Sequence, residues 1–149
     1  MTVPKSARIL VLLSFFCIQS LSASISPVKL RTEYKEDPLG IDHPAPRLSW
    51  QLDSARRGQE QTAYRIIVAS SAQKLHTGNA DLWDSTQMNS SQTGHIPYSG
   101  KQLASGQKAY WKVQVWDRDN QPSSWSPVAT WETGLLKASD WADASWIRL

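Results

Sequence analysis

Apolar and polar residues alternate along most of the chain beyond residue 24, with turn-forming residues between the alternating segments. The period of two is clearest in 47–52 and in 109–116, where Trp111, Val113 and Val115 share one face. Alternation of this kind indicates half-buried β-strands. The chain beyond residue 24 contains no long stretch with the spacing of an amphipathic helix.

The same pattern gives seven candidate strands, separated by Gly, Pro, Asn, Asp and Ser: 28–31, 47–52, 62–70, 81–85, 95–98, 109–116 and 128–134. Pro97 places its strand at an edge or a bend, because proline cannot donate a ladder hydrogen bond. Short strands at this spacing are typical of sandwiches of the immunoglobulin or fibronectin III kind. We therefore predict an all-β fold, a seven-stranded β-sandwich over residues 24–137.

The first 23 residues have the organisation of a secretory signal peptide. Lys5 and Arg8 precede an apolar run of ten residues, 9–18, which small residues follow. The run is about half as long as a membrane-spanning helix requires. We predict cleavage after Ala23 and a secreted or periplasmic product without a membrane anchor. Lipidation of Cys17 is disfavoured, because two phenylalanines precede it.

The segment 138–149 follows the last strand of the predicted sandwich. Residues 138–141 resemble a short helical turn, and 146–149 resemble a new strand that contains Trp146 and Ile147. A single strand needs partners for its backbone and for its apolar side chains. We therefore interpret 138–149 as a linker and the first strand of a following domain that this chain lacks.

Composition and charge narrow the classes of function. The 149 residues carry a formal charge of +3, but without Lys5 and Arg8 the balance is 14 basic to 13 acidic residues. No basic stripe remains for phosphates, which argues against nucleic acid as a partner. Cys17 is the only cysteine, so the cleaved chain would fold without a disulfide.

Residue types that carry chemistry do not form a recognisable catalytic or metal motif. Most acidic residues lie in turns, and Asp117 and Asp119 form a conceivable pair whose simpler explanation is turn hydrogen bonding. His43, His76 and His95 lack metal-ligand spacing. We assign no catalytic residue, no metal and no cofactor.

The eight tryptophans are the unusual feature of the composition. Trp50 and Trp111 lie on the apolar faces of their strands, and we predict that both are core residues. Trp116 faces the opposite side from Val113 and Val115, and Trp125 lies in a serine-rich loop. Trp116 and Trp125 are our candidates for contact with carbohydrate or with a neighbouring domain, and packing beneath a loop is the alternative for both.

Five motifs occur in a fixed order along the chain: LGID (39–42), PRLSW (46–50), RGQEQTAYRIIVAS (57–70), LWDS (82–85), and YWKVQVWD (110–117) with SWS (124–126). Together they resemble the N-terminal fibronectin III-like module of bacterial α-L-rhamnosidases, over about residues 28–149. One departure concerns the tyrosine corner of such domains: its usual position falls on Ala109, and Tyr110 lies on the other face.

The resemblance implies an exported enzyme that removes terminal α-L-rhamnose with inversion. In that family the catalytic carboxylates lie in a helical barrel far downstream, so they map onto no residue of this sequence. The implied function of this chain is a non-catalytic accessory module, with the following domains of the enzyme, and rhamnosylated glycans, as partners. The alternative is a free-standing sandwich that binds glycans or proteins.

Overall fold

The computed structural model describes residues 25–76, 78–142 and 144–145. The predicted signal peptide, 1–23, and the predicted strand 146–149 lie outside these residues. The described chain forms eight strands: β1 (Ser26–Thr32), β2 (Arg47–Asp53), β3 (Ala63–Ala69), β4 (Trp83–Asp84), β5 (Met88–Asn89), β6 (Ile96–Pro97), β7 (Lys108–Trp116) and β8 (Ala129–Glu132). Two 3-10 helices, Ala72–Lys74 and Ala138–Trp141, complete the described elements.

The strands form two antiparallel sheets. The smaller has the order β1-β2-β6, and the larger has the order β4-β3-β7-β8, with β5 also paired to β3. The apolar faces of both sheets contribute to one core, as in immunoglobulin-like sandwiches. The predicted all-β sandwich is confirmed, and seven of its strands correspond to the seven candidates. The additional strand is β5, whose two residues are exposed and carry no alternation.

The β3–β7 pair is the centre of the larger sheet. Its register runs from Ala63 opposite Trp116 to Ala69 opposite Tyr110. The inward face of β3 is buried as the alternation predicts, and Ile67 and Ala69 on the outward face are buried as well. A second, smaller apolar cluster therefore lies on the outside of this sheet.

Three tryptophans dominate the core. Trp111 and Trp131 are completely buried and Trp50 is 3% exposed, which confirms the prediction for Trp50 and Trp111. The side chain of Tyr98 lies edge-on to Trp131, and its hydroxyl donates a 2.6 Å hydrogen bond to the carbonyl of Lys101. The hydrogen bond of Tyr98 closes a loop after β6. The usual position of a tyrosine corner, at Ala109, lies instead in β7.

Gly100 allows the same loop to approach β4. A β-carbon at this position would lie 2.5 Å from the Trp83 β-carbon and 2.5 Å from the Tyr98 hydroxyl oxygen. By contrast, the nearest atom to a β-carbon at Gly94 would be 3.7 Å away. The core therefore requires glycine at position 100.

Candidate functional site

Trp125 covers the apolar cluster on the outer face of the larger sheet. Its half-buried side chain packs against the group formed by Ile67, Ala69 and Leu75. The Lys112 ammonium lies 5.0 Å from the centroid of the indole ring, and burial lowers the pKa of this lysine. Because the ammonium lies over the ring and apolar side chains pack against it, Trp125 already has the contacts expected of packing beneath a loop.

Trp116 lies on the same outer face, at the end of β7. It is half-buried and opposite Ala63, and its carbonyl accepts a hydrogen bond from the amide of Thr62 at 2.9 Å. The fold thus places both sequence-predicted tryptophans on the outer surface of the larger sheet. A role for either of them in contacting carbohydrate or a neighbouring domain stays a prediction.

The acidic and histidine residues that we considered for chemistry lie in loops. One carboxylate oxygen of Asp117 accepts hydrogen bonds from the amides of Asp119 and Gln121, at 3.0 and 2.9 Å. This is the turn hydrogen bonding that the sequence favoured over a catalytic pair. In the part of the chain that the structure describes, no three His, Cys, Asp or Glu side chains are grouped so that they could hold a metal ion.

Three exposed apolar side chains lie around the segment that leaves β8. Leu39, Leu135 and Trp141 are 74%, 44% and 59% exposed. The loop that carries Leu39 runs alongside the end of β8, where the amide of Gly134 donates to the carbonyl of Ile41 at 2.8 Å. We call these three side chains the exit patch. Trp141 lies in the predicted linker, whereas Leu39 and Leu135 carry no local signal of exposure, because apolar residues next to a strand are ordinarily core residues.

The segment after β8 is attached to the sandwich by hydrogen bonds. The Ser105 hydroxyl donates to the Asp140 carboxylate, and the Leu136 amide donates to the Ser105 oxygen at 2.9 Å. The amide of Lys137 also donates to Asp140, at 3.0 Å. These bonds lower the pKa of Asp140, with the Ser105 contribution the largest. They hold the 3-10 helix Ala138–Trp141, which confirms the predicted helical turn, against the loop before β7.

Among the described residues, no helix has the length and apolar character needed to cross a membrane.

The family described as the Rha78A-like, N-terminal immunoglobulin domain matches residues 27–137. An α-L-rhamnosidase of Formosa agariphila is 39% identical over 145 residues, which are 94% of this chain and 15% of that protein. One from Streptomyces avermitilis is 45% identical over 115 residues, which are 77% of this chain and 11% of that protein.

Solved structures of α-L-rhamnosidases are also similar to this chain. The α-L-rhamnosidase of Dictyoglumus thermophilum superposes with a TM-score of 0.77 and 39% identity, over 83% of this chain and 14% of that one. The Streptomyces avermitilis enzyme, solved in complex with L-rhamnose, gives 0.75 and 41%, over 79% of this chain and 11% of that one. The chain thus spans 11 to 15% of the length of these rhamnosidases. It belongs to the family of Rha78A-like N-terminal immunoglobulin domains.

Proposed function

We propose that the chain is a non-catalytic accessory module of an exported α-L-rhamnosidase, in which other domains hydrolyse terminal α-L-rhamnose. The observation that carries this proposal is the family match over 27–137 in relatives that are several times longer. The exported location rests on the signal-peptide pattern of residues 1–23. Its test is N-terminal sequencing of the exported protein, which should begin at Ser24.

Four carboxyl groups of the chain are unsuited to the role of a general acid. Inverting hydrolysis uses two carboxyls about 6.5–9.5 Å apart, one of them with a raised pKa so that it can donate a proton. In Glu33, Asp81, Asp84 and Asp140 the pKa is lowered instead, and the largest cause in each is a hydrogen bond from a cationic or hydroxyl side chain. Carboxyls with lowered pKa values are poor general acids.

The exit patch is the surface we assign to contact with the next domain of the enzyme. Its three side chains expose apolar area beside a segment whose path is fixed by Ser105, so a domain that follows would emerge next to them. Oxidative footprinting of Trp141 measures this contact. Labelling should be strong in the chain alone and fall severalfold in a polypeptide that continues into the next domain; equal labelling in both would contradict the assignment.

Activity is tested directly with the purified chain and an aryl α-L-rhamnoside. We expect no release of the phenol above the uncatalysed rate. Turnover that disappears when one acidic residue of this chain is replaced would contradict the proposal. A polypeptide extended into the helical-barrel domain is the positive control, since it should release the phenol under the same conditions.

A further inference from the structure

A groove of about 350 Å³ opens at one edge of the sandwich, between β6 of the smaller sheet and β4 and β5 of the larger. Each of these three strands is only two residues long, so the sheets do not cover the edge. Apolar atoms of Trp83, Met88 and Ile96 contribute to its walls. The volume is within the range of about 300–1,000 Å³ that is usual for small-molecule sites.

Tyr64 lines this groove from the core side, and its hydroxyl is bonded to no other described residue. The residue is only 8% exposed, and its ring lies edge-on to Trp50 at 5.4 Å. The hydroxyl makes no hydrogen bond to another described residue, and its oxygen is not one of the fully buried unpaired atoms, so it remains accessible from the groove. Burial raises the pKa of Tyr64, so the hydroxyl keeps its proton and can donate as well as accept.

The remaining groups are held in place and balanced in charge. Trp83 lies edge-on to Tyr98 at 5.6 Å, which fixes its orientation. The Asp84 carboxylate accepts two hydrogen bonds from the Arg65 guanidinium, at 2.9 and 2.7 Å. The acidic group in the groove is therefore already neutralised by a neighbouring cation, and the site offers little attraction to an ionic ligand.

We propose that this groove binds a single neutral sugar residue of a glycan. Trp83 and Met88 provide an apolar wall for the C–H face of the ring, and the Tyr64 hydroxyl provides the hydrogen bond that the protein does not satisfy itself. The proposal rests on the proposed function for the choice of a glycan. The groove would hold the rhamnosylated chain while another domain cleaves it.

The test is a nitrogen-15 NMR titration of the purified chain with methyl α-L-rhamnoside up to about 50 mM, since one sugar residue should bind with a millimolar Kd. We expect shifts at the Trp83 indole and at the amides of Tyr64 and Ser99. Tyr64→Phe should raise the Kd about fivefold or more, the cost of one hydrogen bond. This variant should fold normally, because the hydroxyl that it removes has no partner in the protein.

Tyr34→Phe is the matched control, because Tyr34 is an exposed residue that does not line the groove and its hydroxyl is bonded to His95. It should leave the Kd unchanged. Galacturonate, which is anionic, should bind no more tightly than the neutral rhamnoside. The proposal is overturned if the groove residues do not shift, if Tyr64→Phe binds normally, or if the shifts fall on Trp116 and Trp125 instead. None of these results affects the accessory role, which the extended polypeptide tests separately.

Discussion

The same substitution at two buried tryptophans should lower the free energy of unfolding by very different amounts. Trp50 donates from its indole nitrogen to the side-chain oxygen of Gln61 at 3.0 Å, and Gln61 is itself 2% exposed. The indole nitrogen of Trp111 is buried and makes no hydrogen bond within the described chain. The variants Trp50→Phe and Trp111→Phe therefore remove the same atoms, but the indole nitrogen is hydrogen-bonded in Trp50 and unpaired in Trp111.

The magnitudes follow from the contacts. The smaller ring leaves a similar cavity at either site, at a cost of about 2 kcal/mol. Trp50→Phe also leaves the Gln61 oxygen without its donor, which adds about 1–3 kcal/mol. Trp111→Phe removes a buried donor whose desolvation was not compensated, which offsets the cavity cost by about 1–3 kcal/mol. We expect a loss of about 3–5 kcal/mol for Trp50→Phe and a change within about 1 kcal/mol of zero, in either direction, for Trp111→Phe.

Urea unfolding of both variants, followed by tryptophan fluorescence and by circular dichroism, measures the two free energies. Trp131→Phe is an independent repeat, because its nitrogen is also buried and unpaired. It should behave like Trp111→Phe. Equal losses at Trp50 and Trp111, or a larger loss at Trp111, would refute the hydrogen-bond argument.

Three further outcomes are expected from the same unfolding measurements. Trp111→Ala should cost about 3–5 kcal/mol and Trp116→Ala much less, because only the first is completely buried; equal losses would mean that the faces of β7 are misassigned. Gly100→Ala should destabilise the fold and Gly94→Ala should not, because only the first β-carbon meets atoms at 2.5 Å; a neutral Gly100→Ala would rule out that close approach. The pKa of Asp84 is lowered in the fold, chiefly by its arginine partner, so its stabilisation is present above the unfolded pKa of about 4 and is lost as pH falls below it. Asp84→Asn should flatten this part of the pH–stability curve, and an unchanged slope would show that the ion pair contributes nothing.

Local pattern predicted most of the fold because β2 and β7 bury one face, and only β3 among the long strands buries both. In β2 and β7 the inward residues alternate strictly with half-buried or exposed ones, so the period of two carries the assignment. The strand β5 has only two residues, so it cannot show such a period, and its pairing with β3 is what defines it as a strand. Trp131 is completely buried and lies between the half-buried Thr130 and Glu132, so β8 follows the same period of two.

The interaction surfaces were much less predictable than the strands. Gln61 is a polar residue between a turn and β3, yet it is buried, and its amide nitrogen donates to the carbonyls of Ser90 and Gln92. Those partners lie about thirty positions further along the chain, beyond the reach of any local pattern. The groove also depends on residues that are distant in the sequence. Tyr64 belongs to β3 and Trp83 to β4, and the pairing of these two strands brings both residues to the groove.

The way in which the chain leaves the sandwich bears on which role the module can have. A module that only binds glycan can be tethered by a flexible linker, which leaves its position relative to the catalytic domain variable. Here the segment after β8 is instead fixed by Ser105, which bonds both Leu136 and Asp140. Fixing this segment restricts the orientation of any domain that follows, and it holds the exposed Trp141 in one place. The attachment therefore favours a module that docks rigidly in a larger enzyme over a free-standing binding protein. In such an enzyme the edge groove would keep a constant position relative to the catalytic site.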